Sequence, residues 1–545
     1  MVRSTRSLAV LNGDVRTMDA ANSRFEAVYT VDGRIRQLGT NEEIRELIGP
    51  DTVVIDAGGK TVLPAFADAH THWSLLAKNN AQYVDARTPP VESVADIVER
   101  GRSAAAGKPA GEWVQLQGNT FQAEQLKEQR LPRIEELDAI SRDHPVLYRA
   151  SLHTIAVNSA ALALAGIDEN TVPPAGGHIG KDPDTGRLNG YLAEMYGALP
   201  LPEPTLDQLE ASVVETGKKL FLGNGIASIQ EFWETPDIVR AQSRSVLSRE
   251  VPLRVQVYGW VPLAGDMDHV LKQAIDGVEE EADWFEFSGI KFFADGGTSA
   301  RTAAVHEDYE GYPSQRGELL YSSDALYEAI LRSHDAGAQI LIHAAGDRAQ
   351  DECLDAFERL VAKRGPIGDR QYRLEHCGNV LWTQERAARC LKLGVQPVPN
   401  IGFLHVYAEF WTKAFGETRS RPSVPLHTML GQGFEIPGTS DTTGGDLTLI
   451  NPFHNIWQAI TRKTYKGRVL DAEEAITLDQ GLRMYTRYSA IAARKLDRRG
   501  SLEVGKFADI VIASINMHDA PVDAIRDARA LYTIVDGLIA HDGNC

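Results

Sequence analysis

Five short stretches of the chain carry side chains suited to holding a divalent cation. "FADAHTHW" places His70 and His72 two positions apart, "GIKFFADGG" holds Lys291, "LIHAAGD" holds His343, "RLEHC" holds His376 and "GTSD" holds Asp441. Imidazole and carboxylate are ordinary ligands of zinc and similar ions, and a catalytic site keeps positions open for water and substrate. An ammonium would repel the ion. A deprotonated lysine could instead add carbon dioxide and offer a carbamate, and desolvation or nearby positive charge lowers a lysine's pKa.

Each of these residues lies at or near the end of a short apolar run. The runs are 61–69, 226–232, 253–260, 287–294, 338–343, 372–377, 395–400 and 434–440, with amphipathic stretches such as 324–336, 348–363 and 383–393 between them. Strands alternating with helices predict a parallel sheet. Eight such units predict a closed (β/α)8 TIM-like barrel over 61–498, whose functional residues sit at the carboxyl ends of the strands. In a strand, alternate residues share a face, so His70 and His72 aim together.

Residues 73–205 are too long for a connecting loop and contain strand and helix signals of their own ("EWVQLQG", "PVLYRASL", "NSAALALAG"). They are expected to form an inserted cap subdomain after the first strand. Residues 1–60 and 499–545 read as hairpins turning on Asp32-Gly33 and Asp536-Gly537, a dipeptide suited to tight β-turns. They predict a composite β-sandwich built from both termini.

The rest of the composition is ordinary for a soluble globular protein, with 43% hydrophobic and 24% charged residues. A net charge of -19 without a basic cluster argues against nucleic acid or an anionic membrane as partner. Cys353, Cys377, Cys390 and Cys545 are too few and scattered for a disulfide framework. No signal peptide and no membrane span are expected, which suggests a reduced, cytoplasmic setting. A homodimer is compatible with this reading.

Together the motifs resemble the amidohydrolase superfamily and, within it, the amidohydrolase 3 (N-substituted formamide deformylase-like) branch. The resemblance runs nearly end to end, through "LPAFADAHTHW", "PVLYRASLHTIAVNSAALALAGI", "GIKFFADGGTSAR", "HAAGDRA", "RLEHC", "GTSD" and "GSLEVGKFADIVI". It implies that His70, His72 and Asp441 bind one Zn2+. A carboxylated Lys291 then bridges to a second, held by His343 and His376; other divalent metals would also suit. The implied reaction is hydrolysis of an amide C–N bond in a small molecule, of N-acyl or N-substituted formamide type, by a metal-bridged hydroxide. Asp441 shuttles the proton, and His153 binds the carbonyl or the oxyanion. Trp73 and Phe293, with Phe121, Trp260, Tyr309, Phe403 and Trp411, are candidates for an apolar or aryl-accepting wall. Asp295 and Asp347 are candidates to orient imidazoles. His334 is expected to be solvated on a helix, and His306, His405, His427 and His454 fall in rim loops without an assigned role.

The chain departs from the family pattern in three places. Gly438-Thr439-Ser440-Asp441 is one residue longer than the usual G-S-D, Ala345 replaces a branched residue, and Ala150-Ser151-Leu152 replace a D-G-H-like segment. The last leaves the substrate open. Cyclic amide, imide or carbamate hydrolysis, deamination, and a non-catalytic binding role on the same scaffold remain alternatives.

Overall fold

The computed structural model describes residues 6–544 except 89, 120–121, 151–153, 175–176, 194, 234–235, 262–266, 271–280, 282 and 443–445. His153 and Phe121 therefore lie outside the described residues.

A seven-stranded parallel sheet forms the centre of the fold: β1 (Phe66–Thr71), β2 (Ile226–Trp233), β3 (Arg254–Trp260), β4 (Phe285–Phe293), β5 (Gln339–His343), β6 (Tyr372–Glu375) and β7 (Val395–Val398). Strand order follows chain order, the TIM-like α/β arrangement. Helices α1 (Ser323–Asp335), α2 (Asp347–Arg364) and α3 (Gln384–Leu393) fill successive connections. Every residue of β2 is buried, as expected of a parallel strand covered on both faces. Where β4 meets β5, Gly289 is required, because a Cβ there would lie 2.0 Å from the Gln339 carbonyl oxygen. The register pairs Phe293 with His343 and His343 with Glu375, so the strands end level with one another.

Two expected strands are corrected. The run 61–69 is two strands: Thr61–Pro64 joins a terminal sheet, and β1 begins only at Phe66. The eighth, 434–440, forms no strand. Pro437 has no N–H to give a ladder, and the Gly438 N–H donates to Met484 O (2.7 Å). The segment still follows β1, through Ala69 N to Gly438 O (2.9 Å) and Asp441 N to His70 O (2.7 Å). On its other side Thr439 Oγ1 donates to Pro399 O (3.4 Å), just beyond β7.

Both chain ends contribute to the remaining sheets of this unit. One has the order 34–39, 27–31, 7–11, 53–56, and the other 538–542, 530–535, 510–513, 61–64, 14–16, 24–25. Val10, Val28 and Ile55 share one buried cluster with Val62, Ile510 and Ile534. Both Asp-Gly turns form as expected. Asp32 and Gly33 have φ 47° and 76°, and Asp536 and Gly537 have φ 54° and 71°, the left-handed pair that matches strand twist in a two-residue hairpin.

A second compact unit comprises Leu75–Ser212 with the short return Thr442–Leu447. Its six-stranded sheet runs 178–181, 188–193, 154–157, 146–149, 114–117, 84–85, with buried clusters around Leu116 and Val146 and around Leu147 and Ile155. The expected helix forms over Ser159–Ala165, capped by the Asn158 side chain and closed by left-handed Gly166. Cys353, Cys377 and Cys390 are free and buried. No helix among the described residues is long and apolar enough to cross a membrane.

Candidate metal centre

His70 lies at the end of β1 and His72 just beyond it, and both are buried. Their Nε2 atoms meet the same oxygen, Asp441 Oδ1, at 3.2 and 3.3 Å. These three residues offer donor atoms lying within 4.8 Å of one another. Two neutral nitrogens and one anionic oxygen, clustered and mostly dry, suit a divalent cation such as zinc.

The other expected residues converge on the same place. Lys291 Nζ lies 3.5 Å from His70 Nε2, and its ammonium end sits 4.3 Å from the centre of the Phe232 ring. The His376 ring is 5.3 Å from that of His70, and the His343 ring is 4.3 Å from that of His376. One backbone feature makes this possible on β6. Consecutive strand residues face opposite sides, yet both Glu375 and His376 approach His70. His376 has φ 69°, and Asp441 has φ 48°. Non-glycine residues adopt such values infrequently, and strained ones cluster at functional sites. The left-handed turn ends the strand at Glu375 rather than at the expected Cys377 and re-aims the imidazole.

The partners of each ring decide which nitrogen carries the proton, because carboxylate, carbonyl and amide oxygens only accept. His70 Nδ1 donates to Glu375 Oε2 (2.6 Å), His376 Nδ1 to Asn400 Oδ1 (2.7 Å) and His343 Nε2 to Gly296 O (3.1 Å). A neutral ring then presents its other nitrogen as a lone pair. Such outer partners orient metal-binding imidazoles generally. His72 Nδ1 has no hydrogen-bond partner among the described residues.

Burial drives the electrostatics. It lowers Lys291 to about 8, although Glu375 and Asp441 oppose the shift, so the free amine is accessible near neutrality. Burial, helped by neighbouring positive charge and opposed by Asp441, lowers His376 to about 4 and holds His343 well below its ordinary value. For Asp441, burial pushes the carboxyl up, but the close approach of His70 and His72 outweighs it and holds the group well below the usual carboxylate range.

Several side chains take roles other than those expected. Trp73 is a core residue and no substrate wall: its indole is wholly buried, donates to Thr216 Oγ1 (2.9 Å) and packs edge-on against Phe221. Asp295 does not orient His343 directly, approaching Nε2 only to 3.6 Å. Its two oxygens accept the backbone N–H groups of Ala304, Ala345 and Gly346 at 2.8–3.0 Å and tie the loops after β4 and β5 together. Asp347 accepts from His306 N (3.0 Å) and touches no imidazole of the centre. His334 is buried, not solvated, with Nδ1 2.9 Å from the Tyr372 hydroxyl. Of the histidines expected in rim loops only His306, paired with Asp351, lies in one; His405, His427 and His454 sit on helices Phe403–Arg419, Leu426–Gly431 and Pro452–Thr461, where His405 lies against His454 and the Lys463 carbonyl and His427 is exposed. Phe293 stacks between Trp260 and His343, with both ring centres 4.5 Å away.

Sequence reasoning missed Glu375, Arg373, Glu231 and Asp68. All four are buried charged or acidic residues within the barrel strands. Glu231 accepts from Trp73 N (2.5 Å) and Ser74 N (2.7 Å), fixing the turn just after His72. Asp68 accepts from both His70 N and Ser440 N at 3.1 Å, joining the two segments that carry His70 and Asp441. The available signal was an ionisable residue inside an apolar strand, where it is costly unless partnered.

Comparison with known proteins places the chain in a family. The amidohydrolase family pattern matches residues 53–541. The chain is 30% identical to an N-substituted formamide deformylase of Arthrobacter pascens, over 98% of each chain. It is 27% identical to a putative amidohydrolase of Bacillus subtilis (strain 168), over 97% of this chain and 98% of the other. The fold resembles an uncharacterized metal-dependent hydrolase from Pyrococcus furiosus, with a TM-score of 0.70 at 24% identity over 93% of this chain and 98% of that one. With most of its length inside the family pattern, the chain belongs to the amidohydrolase family and is a hydrolytic enzyme acting on carbon–nitrogen bonds.

Proposed function

We propose that this enzyme hydrolyses the amide bond of a small N-acyl or N-substituted formamide compound bearing an apolar or aryl group. The observation that carries the reading is the convergence of His70, His72 and Asp441 on one point, with Lys291, His343 and His376 beside them. The named activity of the Arthrobacter pascens relative supports the substrate class.

In this reading His70, His72 and Asp441 would hold one Zn2+, and His343, His376 and a carboxylated Lys291 would hold a second. When bound, divalent ions supply Lewis-acid polarisation of the scissile carbonyl and bring the ionisation of water into the neutral range. The chain's own residues do the rest. Asp441 directs Oδ1 at the imidazoles of His70 and His72, while Oδ2 lies 3.8 Å from His376 Nδ1. That second oxygen takes the proton of the attacking water and passes it to the departing nitrogen. The C–N bond breaks as the nitrogen is protonated, giving a carboxylic acid and an amine. His153 is assigned to the carbonyl oxygen. Phe293, braced by Trp260, offers the apolar wall. The domain reading goes with it: a composite sandwich from 1–60 and 499–545, a barrel over 61–498 and an inserted subdomain over 73–205.

The test is a hydrolysis screen of zinc-loaded enzyme over N-formyl, N-acyl, carbamate and cyclic imide compounds. Turnover of N-formyl or N-acyl amides is expected. Turnover confined to cyclic imides or carbamates would overturn the substrate class, and turnover of none would overturn the reading.

A further inference from the structure

Strand β6 carries two charges into the barrel interior, Arg373 and Glu375, each with 0% exposure. Glu375 Oε1 accepts from Arg373 Nε at 2.6 Å, and Oε2 accepts from His70 Nδ1 at 2.6 Å. Arg373 directs its other donors to neighbouring strands. Nη1 donates to Gln230 Oε1 on β2, and Nη2 donates to Ala69 O on β1 at 2.9 Å, one residue before His70. One guanidinium thus joins strands one, two and six, and its counter-ion grips the first imidazole of the centre.

The four imidazoles are not held alike. His376 leans on a neutral amide oxygen, His343 on a neutral carbonyl, and His72 Nδ1 has no partner among the described residues. His70 alone among them has Glu375, a carboxylate, on its Nδ1. A carboxylate behind a ligand imidazole fixes its tautomer and raises its basicity more than a neutral acceptor can. Burying two charges is unfavourable unless they are paired and hydrogen-bonded, and here Arg373 supplies the pairing that lets Glu375 stay ionised behind His70.

We propose that Glu375, held in place by Arg373, is a positioning residue that selects Nε2 of His70 as the donor atom and sets how tightly this half of the centre binds its metal. The inference rests on the reading of His70 as a ligand.

The test measures zinc affinity by chelator competition, with circular dichroism and kinetics alongside, for wild type, Glu375→Gln, Asp441→Asn and the double variant Arg373→Met/Glu375→Gln. Glu375→Gln is expected to bind zinc about 10–100-fold more weakly. Its activity should recover in excess zinc with KM unchanged, a rescue that a folding defect would not show and that Asp441→Asn should not share. Should Glu375→Gln fail to fold, the double variant leaves no buried charge unpaired and is expected to fold with the same weakened affinity. Wild-type zinc affinity in either folded variant would overturn the inference alone. Wild-type protein that takes up no zinc would overturn the metal-centre reading and this inference with it.

Discussion

On one side of the centre, His70, His72 and Asp441 already form a compact donor set with an anion in it. On the other, Lys291, His343 and His376 contribute two neutral rings and an amine. Both imidazoles there stand well below their ordinary pKa, and the lysine is lowered to about 8. The first half can hold a cation as it stands. Among the described residues the second has no carboxylate of its own for one, since Asp295 spends its oxygens on three backbone N–H groups. A second ion there would call for negative charge, and in the proposed reading the Lys291 amine, lowered to about 8, acquires it as a carbamate. In the proposed reading one half is built from side chains as encoded, while the other would depend on carboxylation of Lys291.

The comparison can be broken at several points. The largest effect is expected for Asp441→Asn, which keeps a residue tolerant of the left-handed backbone but removes the proton acceptor. kcat should fall by about 10²–10⁴-fold, with circular dichroism unchanged; near-wild-type turnover would remove Asp441 from proton transfer. Next, Lys291→Ala should lower divalent metal content by about half and leave the His70 side loaded. An added short-chain carboxylate should restore part of the activity. Undiminished metal content would show that the second half does not depend on Lys291. A smaller effect concerns the loops behind the second half. A Cβ at residue 346 would lie 2.0 Å from the Ala304 oxygen, so Gly346→Ala should destabilise the fold by about 1–3 kcal/mol, read as a lowered Tm. The smallest is Trp260→Leu, which removes the support of Phe293 and should raise KM by about 2–10-fold, the equivalent of roughly 0.5–1.5 kcal/mol for an aromatic pair.

The same contrast explains what was legible in the sequence. His70-x-His72 was readable because strand alternation is a local rule, and Lys291, His343 and His376 were readable because each lies at or near the end of an apolar run. The two Asp-Gly hairpins were readable because that dipeptide demands a particular turn. What escaped was non-local. Glu375 and Arg373 acquire meaning only when β6 lies close enough to β1 for a hydrogen bond to His70, and nothing within "RLEHC" states that partner. Trp73 sits beside the ligands in sequence, yet the chain turns at once into a helix and the indole goes to Thr216 and Phe221. The eighth strand failed because Pro437 and Gly438 spoil a ladder that their apolar neighbours suggest. His334 looked solvated on its own helix because Tyr372, the residue that covers it, comes from a different element.

The central claim is a two-ion centre whose halves differ in this way. The most direct measurement is divalent metal content per chain together with activity, before and after exhaustive chelation and on stepwise zinc return. The account predicts about two ions per chain, loss of hydrolysis on their removal and its recovery as zinc is restored. Full hydrolytic activity in protein stripped of metal would contradict it.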